Sequence, residues 1–191
     1  MWIALIAGSF KPLTRGHHSL ISLAAQDNDE VHLFVSVKDR TRKGEYPIRW
    51  DVMKRIWEDY IIPILPQNVK VHFSGNPTSD QFLALEEAEK NPFEYNTYVV
   101  YAAEEDIRRY NNPRIREKTL AHLYANEQLI FKTLPRNDVS ATKARQALMN
   151  DDLVEFVSLM PSPLMQRGHI IFELLKASVE NRKEEEEPPA S

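Results

Sequence analysis

Five short runs rich in β-branched and other apolar residues, Trp2 to Ala7, Val31 to Val37, Val69 to Phe73, Tyr98 to Tyr101 and Gln128 to Lys132, alternate along the chain with stretches of helical periodicity. Nothing else in the sequence limits the fold as much. Strands separated by helices pair in parallel through right-handed crossovers, and the helices then cover both faces of the sheet. Helices are expected over His18 to Gln26, Ile48 to Ile61, Asp80 to Lys90, Arg114 to Ala125 and Thr142 to Met149, with further C-terminal helix from Leu164 to about Arg182. The expected fold class is therefore α/β: a single Rossmann-like domain over residues 1–182, with a parallel five-stranded sheet flanked by helices. Ligands of such sheets bind beyond the carboxyl ends of the strands, so the segments that follow strands are where chemistry is to be sought.

Composition narrows the chemistry. With 42% hydrophobic residues among 191, one continuous core is within reach. Cysteine is absent, which excludes disulfides, thiolate zinc sites and a cysteine nucleophile. The six histidines show no metal-ligand spacing, and no metal-binding residue is assigned. The apolar opening from Trp2 is too short to span a bilayer, and Lys11 and Arg15 follow it in a way unlike a signal peptide, so a cytoplasmic protein without membrane contact is expected. A net charge of -4 argues against a general nucleic-acid binder. Lys183 to Ser191 is acidic and proline-bearing, and is expected to be a disordered tail.

Two constellations carry chemistry. Directly after the first strand comes Gly8-Ser9-Phe10-Lys11-Pro12-Leu13-Thr14-Arg15-Gly16-His17, leading into a helix that is expected to begin near His18. A glycine turn that opens a helix exposes backbone N–H groups to an anion, and Thr14 and His17 add a hydroxyl and an imidazole suited to charge on a phosphorus centre. Late in the chain, Val139-Ser140-Ala141-Thr142-Lys143-Ala144-Arg145 reads as a helix start with Ser140 able to cap it. Its first turn is basic, where the helix dipole prefers acids, and a bound polyphosphate would reverse that mismatch.

The first stretch resembles the signature of the HxGH-type nucleotidyltransferase superfamily, with Thr14 in place of the first histidine. The second is similar to the Ile-Ser-Ser-Thr-x-x-Arg motif of the same superfamily. The resemblance covers about Trp2 to Leu175. It implies transfer of a nucleoside monophosphate from ATP or CTP to a small phosphorylated acceptor, with pyrophosphate released and Mg²⁺ carried with the nucleotide. Carried over by position, His17, Thr14 and Arg145 are the catalytic residues, and Gly8, Ser9, Phe10, Gly16, Ser140, Thr142 and Lys143 bind the nucleotide. Lys43, in the basic loop Lys38 to Lys43, matches the Lys-Gly step of NMN adenylyltransferases and is assigned to the acceptor phosphate. Among acceptors NMN comes first, then pantetheine phosphate, then the phosphorylated alcohols of CTP-using transferases. The segment Tyr101-Ala102-Ala103-Glu104-Glu105-Asp106 stands in place of the Gly-x-Asp usual after the fourth strand, which leaves the acceptor open. A nucleotide sensor, or an RNA-binding module using Arg108 to Arg116, is the non-enzyme alternative, and homo-oligomerisation is left open.

Overall fold

The computed structural model describes residues 1–91, 94–134 and 139–186. The chain divides into two compact units, one of Met1–Ser9, Leu20–Ser36 and Pro66–Asn137, the other of Phe10–Ser19, Val37–Leu65 and Asp138–Ser191. The strands are β1 (Trp2–Gly8), β2 (Glu30–Ser36), β3 (Val69–Ser74), β4 (Thr97–Ala103) and β5 (Leu129–Leu134). The helices are α1 (Arg15–Asp27), α2 (Trp50–Ile56), α3 (Pro77–Glu89), α4 (Glu104–Tyr110), α5 (Ala121–Ala125), α6 (Val139–Met149), α7 (Leu153–Ser158) and α8 (Gly168–Glu186).

The first unit is the expected sheet, wholly parallel and ordered β3-β2-β1-β4-β5. Central β1 is flanked on both sides and buries Ile3, Ala4, Leu5 and Ile6, which is why it reads as a continuous apolar run. On one face Ile3, Leu5, Phe34, Val100 and Ala102 pack with Leu85 of α3, Tyr110 of α4 and Leu123 of α5. Buried Gln81 of α3 donates its side-chain amide to the Leu5 carbonyl at 3.1 Å, tying that helix to β1. The chain runs outward from β1 to β3 and returns on the other side of β1 as β4, which makes the carboxyl ends of β1 and β4 the topological switch point. Gly8 closes β1 there.

The second unit is helical. Helix α8 packs on α2, α6 and α7, with Met53, Trp57, Leu148, Phe156, Phe172 and Leu175 buried. Trp57 is fully buried, and Trp50, seven residues before it, is half-buried.

Several boundaries differ from expectation for local reasons. Helix α1 starts at Arg15 rather than His18, because the His18 N–H already donates to the Thr14 carbonyl at 3.0 Å. Ile48 does not open a helix. Its backbone exchanges two hydrogen bonds with Arg40, at 2.8 and 3.0 Å, and α2 begins at Trp50, whose N–H donates to Asp39 at 2.7 Å. A π-helical turn, Trp57–Ile61, carries α2 on to a short 3-10 turn containing Pro63. The helix expected over Arg114 to Ala125 is a π turn, Ile115–Thr119, followed by α5. Helix α4 was not anticipated. Helix α8 includes Lys183 to Glu186, the first residues of the segment expected to be a tail, and residues 187–191 lie outside the described residues. Among the described residues no helix is long and apolar enough to cross a membrane.

Candidate active site

Gly8 and Ser9 leave the carboxyl end of β1 in the sheet unit. The remaining assigned residues, Phe10 to His17, Lys43 and Ser140 to Arg145, fall in the helical unit. Within it the two sequence motifs meet. Thr14, fully buried, donates its hydroxyl to the Ser140 Oγ at 3.1 Å, across 126 positions of sequence. A Cβ on Gly16 would stand 3.0 Å from that same Ser140 Oγ, so glycine is what lets the first turn of α1 approach the first turn of α6.

His17 is fixed by its neighbours. Its Nδ1 accepts the Thr14 backbone N–H at 3.1 Å, the return bond of a capping box in which histidine replaces the customary glutamate. An accepting Nδ1 puts the proton of neutral imidazole on Nε2, and an imidazole N–H is the kind of donor a phosphoryl oxygen accepts from. Phe10 packs edge-on against the imidazole, with centroids 4.9 Å apart, and against Trp57. It does so with φ of 51°, a left-handed backbone unusual outside glycine, so strain is concentrated at this turn. The Lys11–Pro12 peptide that follows is cis.

Arg145 is 6% exposed. It donates from Nη1 to the Lys11 carbonyl at 2.9 Å and from Nη2 to the Thr142 Oγ1 at 3.3 Å, which ties the second motif to the first. Its Nε faces Glu45 at 3.5 Å. Ser140 lies inside α6 rather than capping it, and its hydroxyl serves the Thr14 contact instead. Thr142 and Lys143 are exposed on the first turns of the same helix. Lys43 is exposed on the loop before α2, just ahead of Gly44 with φ of 83°.

Three residues were not anticipated as part of this constellation. Lys11 is 2% exposed, with its ammonium 5.5 Å from the centre of the Trp50 ring. Burial pulls its pKa down to about 8, against the nearby Asp39 carboxylate, which favours the charged form. Arg40 and Glu45 form a two-pronged pair at 2.7 and 3.0 Å. Hydrogen bonding from Arg40, reinforced by the charge of Arg145, holds the Glu45 carboxyl below its ordinary range. The available signal was a stretch with four bases, Lys38, Arg40, Arg42 and Lys43, and only two acids, Asp39 and Glu45.

The basic stretch Arg108 to Arg116 is largely matched in place: Arg108 pairs with Glu104 at 2.7 Å, Arg109 with Asp106 at 3.5 Å, and Arg116 lies over the Tyr124 ring. Separately, in the sheet unit, a cleft of about 470 Å³ is lined by Asn76, Ser79, Phe82, Arg109 and Tyr110. No group of three His, Asp or Glu among the described residues could hold a metal ion.

The arrangement suits an anion. The N-terminal turns of α1 and α6 converge, neither contains an acid, and a guanidinium lies beside them. Comparison with known proteins agrees with that chemistry. The family model described as Cytidylyltransferase-like matches residues 5–147. No curated protein is similar enough to match. Among solved structures, the chain is similar to Plasmodium falciparum nicotinic acid mononucleotide adenylyltransferase complexed with NaAD, at 16% identity and TM-score 0.53 over 91% of this chain and 97% of that one. It is also similar to a bifunctional NMN adenylyltransferase/ADP ribose pyrophosphatase from Francisella tularensis, at 17% identity and TM-score 0.54 over 97% of this chain and 57% of that one. At such identities the likeness is one of fold. The family match covers most of the chain and both motifs up to Arg145, and the chain belongs to the cytidylyltransferase-like family of nucleotidyltransferases.

Proposed function

We propose that the protein transfers AMP from ATP to nicotinamide mononucleotide, forming NAD and releasing pyrophosphate. The observation that carries the transfer chemistry is the hydrogen-bonded junction of the two helix starts through Thr14, Gly16 and Ser140, with His17 bonded to Thr14 and Arg145 bonded to Thr142 and the Lys11 carbonyl. The choice of NMN rests on the motif likeness, Gly8 to Thr14 and Ser140 to Arg145, and on the Lys43-Gly44 step.

An oxygen of the acceptor phosphate bonds to the α-phosphorus, and the bond from that phosphorus to the bridging oxygen breaks, its electron pair leaving with pyrophosphate. The protein's part is positioning and charge stabilisation. His17, through Nε2–H, holds the α-phosphoryl group, and buried Thr14, bonded to both His17 and Ser140, positions the two. Gly8, Ser9, Phe10 and Gly16 shape the turn around the nucleotide, Ser140, Thr142 and Lys143 contact the triphosphate, and Arg145 neutralises the departing pyrophosphate. Lys43 takes the acceptor phosphate. The donor set here consists of hydroxyls, N–H groups and cations, which hold phosphates rather than a metal, so Mg²⁺ would be carried with the nucleotide and would supply charge neutralisation there.

The test is pyrophosphate release by the full chain with Mg²⁺ and ATP or CTP, against NMN, nicotinate mononucleotide, pantetheine phosphate and simple phosphorylated alcohols. Release with ATP and NMN alone is expected. Release with a different pair keeps the chemistry and replaces the acceptor, whereas bound ATP with no release across the panel contradicts the reading.

A further inference from the structure

Arg145 and Arg40 share one carboxylate. Glu45 accepts from Arg40 Nε at 2.7 Å and Nη2 at 3.0 Å, and its Oε2 stands 3.5 Å from Arg145 Nε. The three side chains are layered: Arg145 is 7% exposed, Arg40 18% and Glu45 30%, so the carboxylate is the most exposed of the three. The loop places it there by backbone geometry. Arg40 and Ile48 close the loop with two hydrogen bonds, Glu45 N–H donates to the Arg42 carbonyl at 3.1 Å, and Ile48 and Tyr46 anchor it in the core.

Two guanidiniums around one carboxylate leave the cluster with a surplus positive charge. Phosphate matches the guanidinium fork as well as carboxylate does and carries more charge. A buried arginine without a counter-ion is costly, so a carboxylate keeps Arg145 compatible with folding. The bond to Arg40 is tight and two-pronged; the approach to Arg145 is looser and single. The second contact is the one that yields.

Resting on the nucleotidyl-transfer reading above, we propose that Glu45 is a displaceable anion: beside Arg145 it occupies the place that a polyphosphate oxygen of the nucleotide takes on binding. Glu45 lies two residues from Lys43 on the same loop, so its displacement ties arrival of the triphosphate to the position of the acceptor-phosphate lysine.

The test is titration calorimetry of inorganic pyrophosphate into the full chain, as wild type, Glu45→Gln and Glu45→Asp. Glutamine keeps the shape and drops the charge. Aspartate keeps the charge and the Arg40 pair but falls short of Arg145, so the test survives if the glutamine variant unfolds. Glu45→Gln is expected to bind pyrophosphate about tenfold tighter than wild type, with a smaller gain for Glu45→Asp. Equal or weaker binding in both variants overturns the proposal while leaving the nucleotide reading intact. A gain for glutamine with none for aspartate also overturns it, because bulk charge then explains the effect. No binding by any of the three proteins removes the phosphate site and the proposal together.

Discussion

Helices α3 and α7 begin in one way, α1 and α6 in another. Asn76 caps α3 by accepting the Ser79 N–H at 3.2 Å, with Asp80 in the first turn, and Asp152 caps α7 by accepting the Glu155 N–H at 3.1 Å. Those helices satisfy their own positive ends. Helices α1 and α6 have no acid in the first turn, and their hydroxyls, Thr14 and Ser140, are bonded to each other. Helix α1 spends its Thr14 and Arg15 N–H groups on the His17 Nδ1 and the Leu159 carbonyl, so the contrast is one of charge. Helices α3 and α7 carry an acid in the first turn, and α1 and α6, the starts proposed to take an external anion, carry none.

The sharpest way to break this contrast is His17→Ala. Removing the donor at the α1 start should lower turnover on the order of a thousandfold in the pyrophosphate assay. A drop of only a few fold would make His17 a cap and nothing more.

Lys11 extends the contrast, since a cation buried on this side weakens the fold. Its pKa is about 8 in the folded protein against an ordinary 10.5. Between those values the unfolded chain holds a proton the folded chain has shed, so stability rises with pH across that window and the full penalty applies below about 8. Lys11→Met should therefore stabilise the protein at neutral pH by on the order of 2 kcal/mol. The gain should fade toward pH 10.5, as thermal melts of both proteins across that range would show.

Gly16→Ala places a methyl 3.0 Å from the Ser140 Oγ and should push the two helix starts apart. A loss of about 1 kcal/mol in chemical denaturation is expected, with a clear fall in turnover. Asp152→Ala, on the self-satisfied α7, should cost about 1 kcal/mol in the same denaturation experiment and leave turnover unchanged.

The sheet was legible because parallel strands buried on both faces are continuous apolar runs, and Ile3 to Ile6 of β1 show this directly. Helix α4 was not. Its seven residues, Glu104–Tyr110, are mostly charged, held by pairs such as Glu104 with Arg108 and by Tyr110 in the core, so its stability comes from tertiary packing rather than periodicity. At the candidate site the two motifs and their resemblance to a family signature marked Thr14, His17, Ser140 and Arg145 for attention, and the structure sets Thr14 against Ser140 and Arg145 against Thr142. The sequence could not show that the Thr14 and Ser140 hydroxyls bond to each other, nor that Glu45 faces Arg145 from 100 positions away. Those contacts depend on how the loops close. The loop that carries Glu45 is closed by two backbone hydrogen bonds between Arg40 and Ile48, the residue at which the pattern suggested the start of a helix.

The most direct test of the central claim is to give α6 the kind of start that α3 has. Thr142→Asp puts an acid on the exposed first turns of α6, beside Arg145. Calorimetric titration of ATP with Mg²⁺ into this variant, alongside its melting curve, should show stability kept or raised by a few tenths of a kcal/mol and ATP affinity lowered more than about tenfold. Unchanged ATP affinity in a folded Thr142→Asp protein would contradict the claim that these helix starts are reserved for a phosphate.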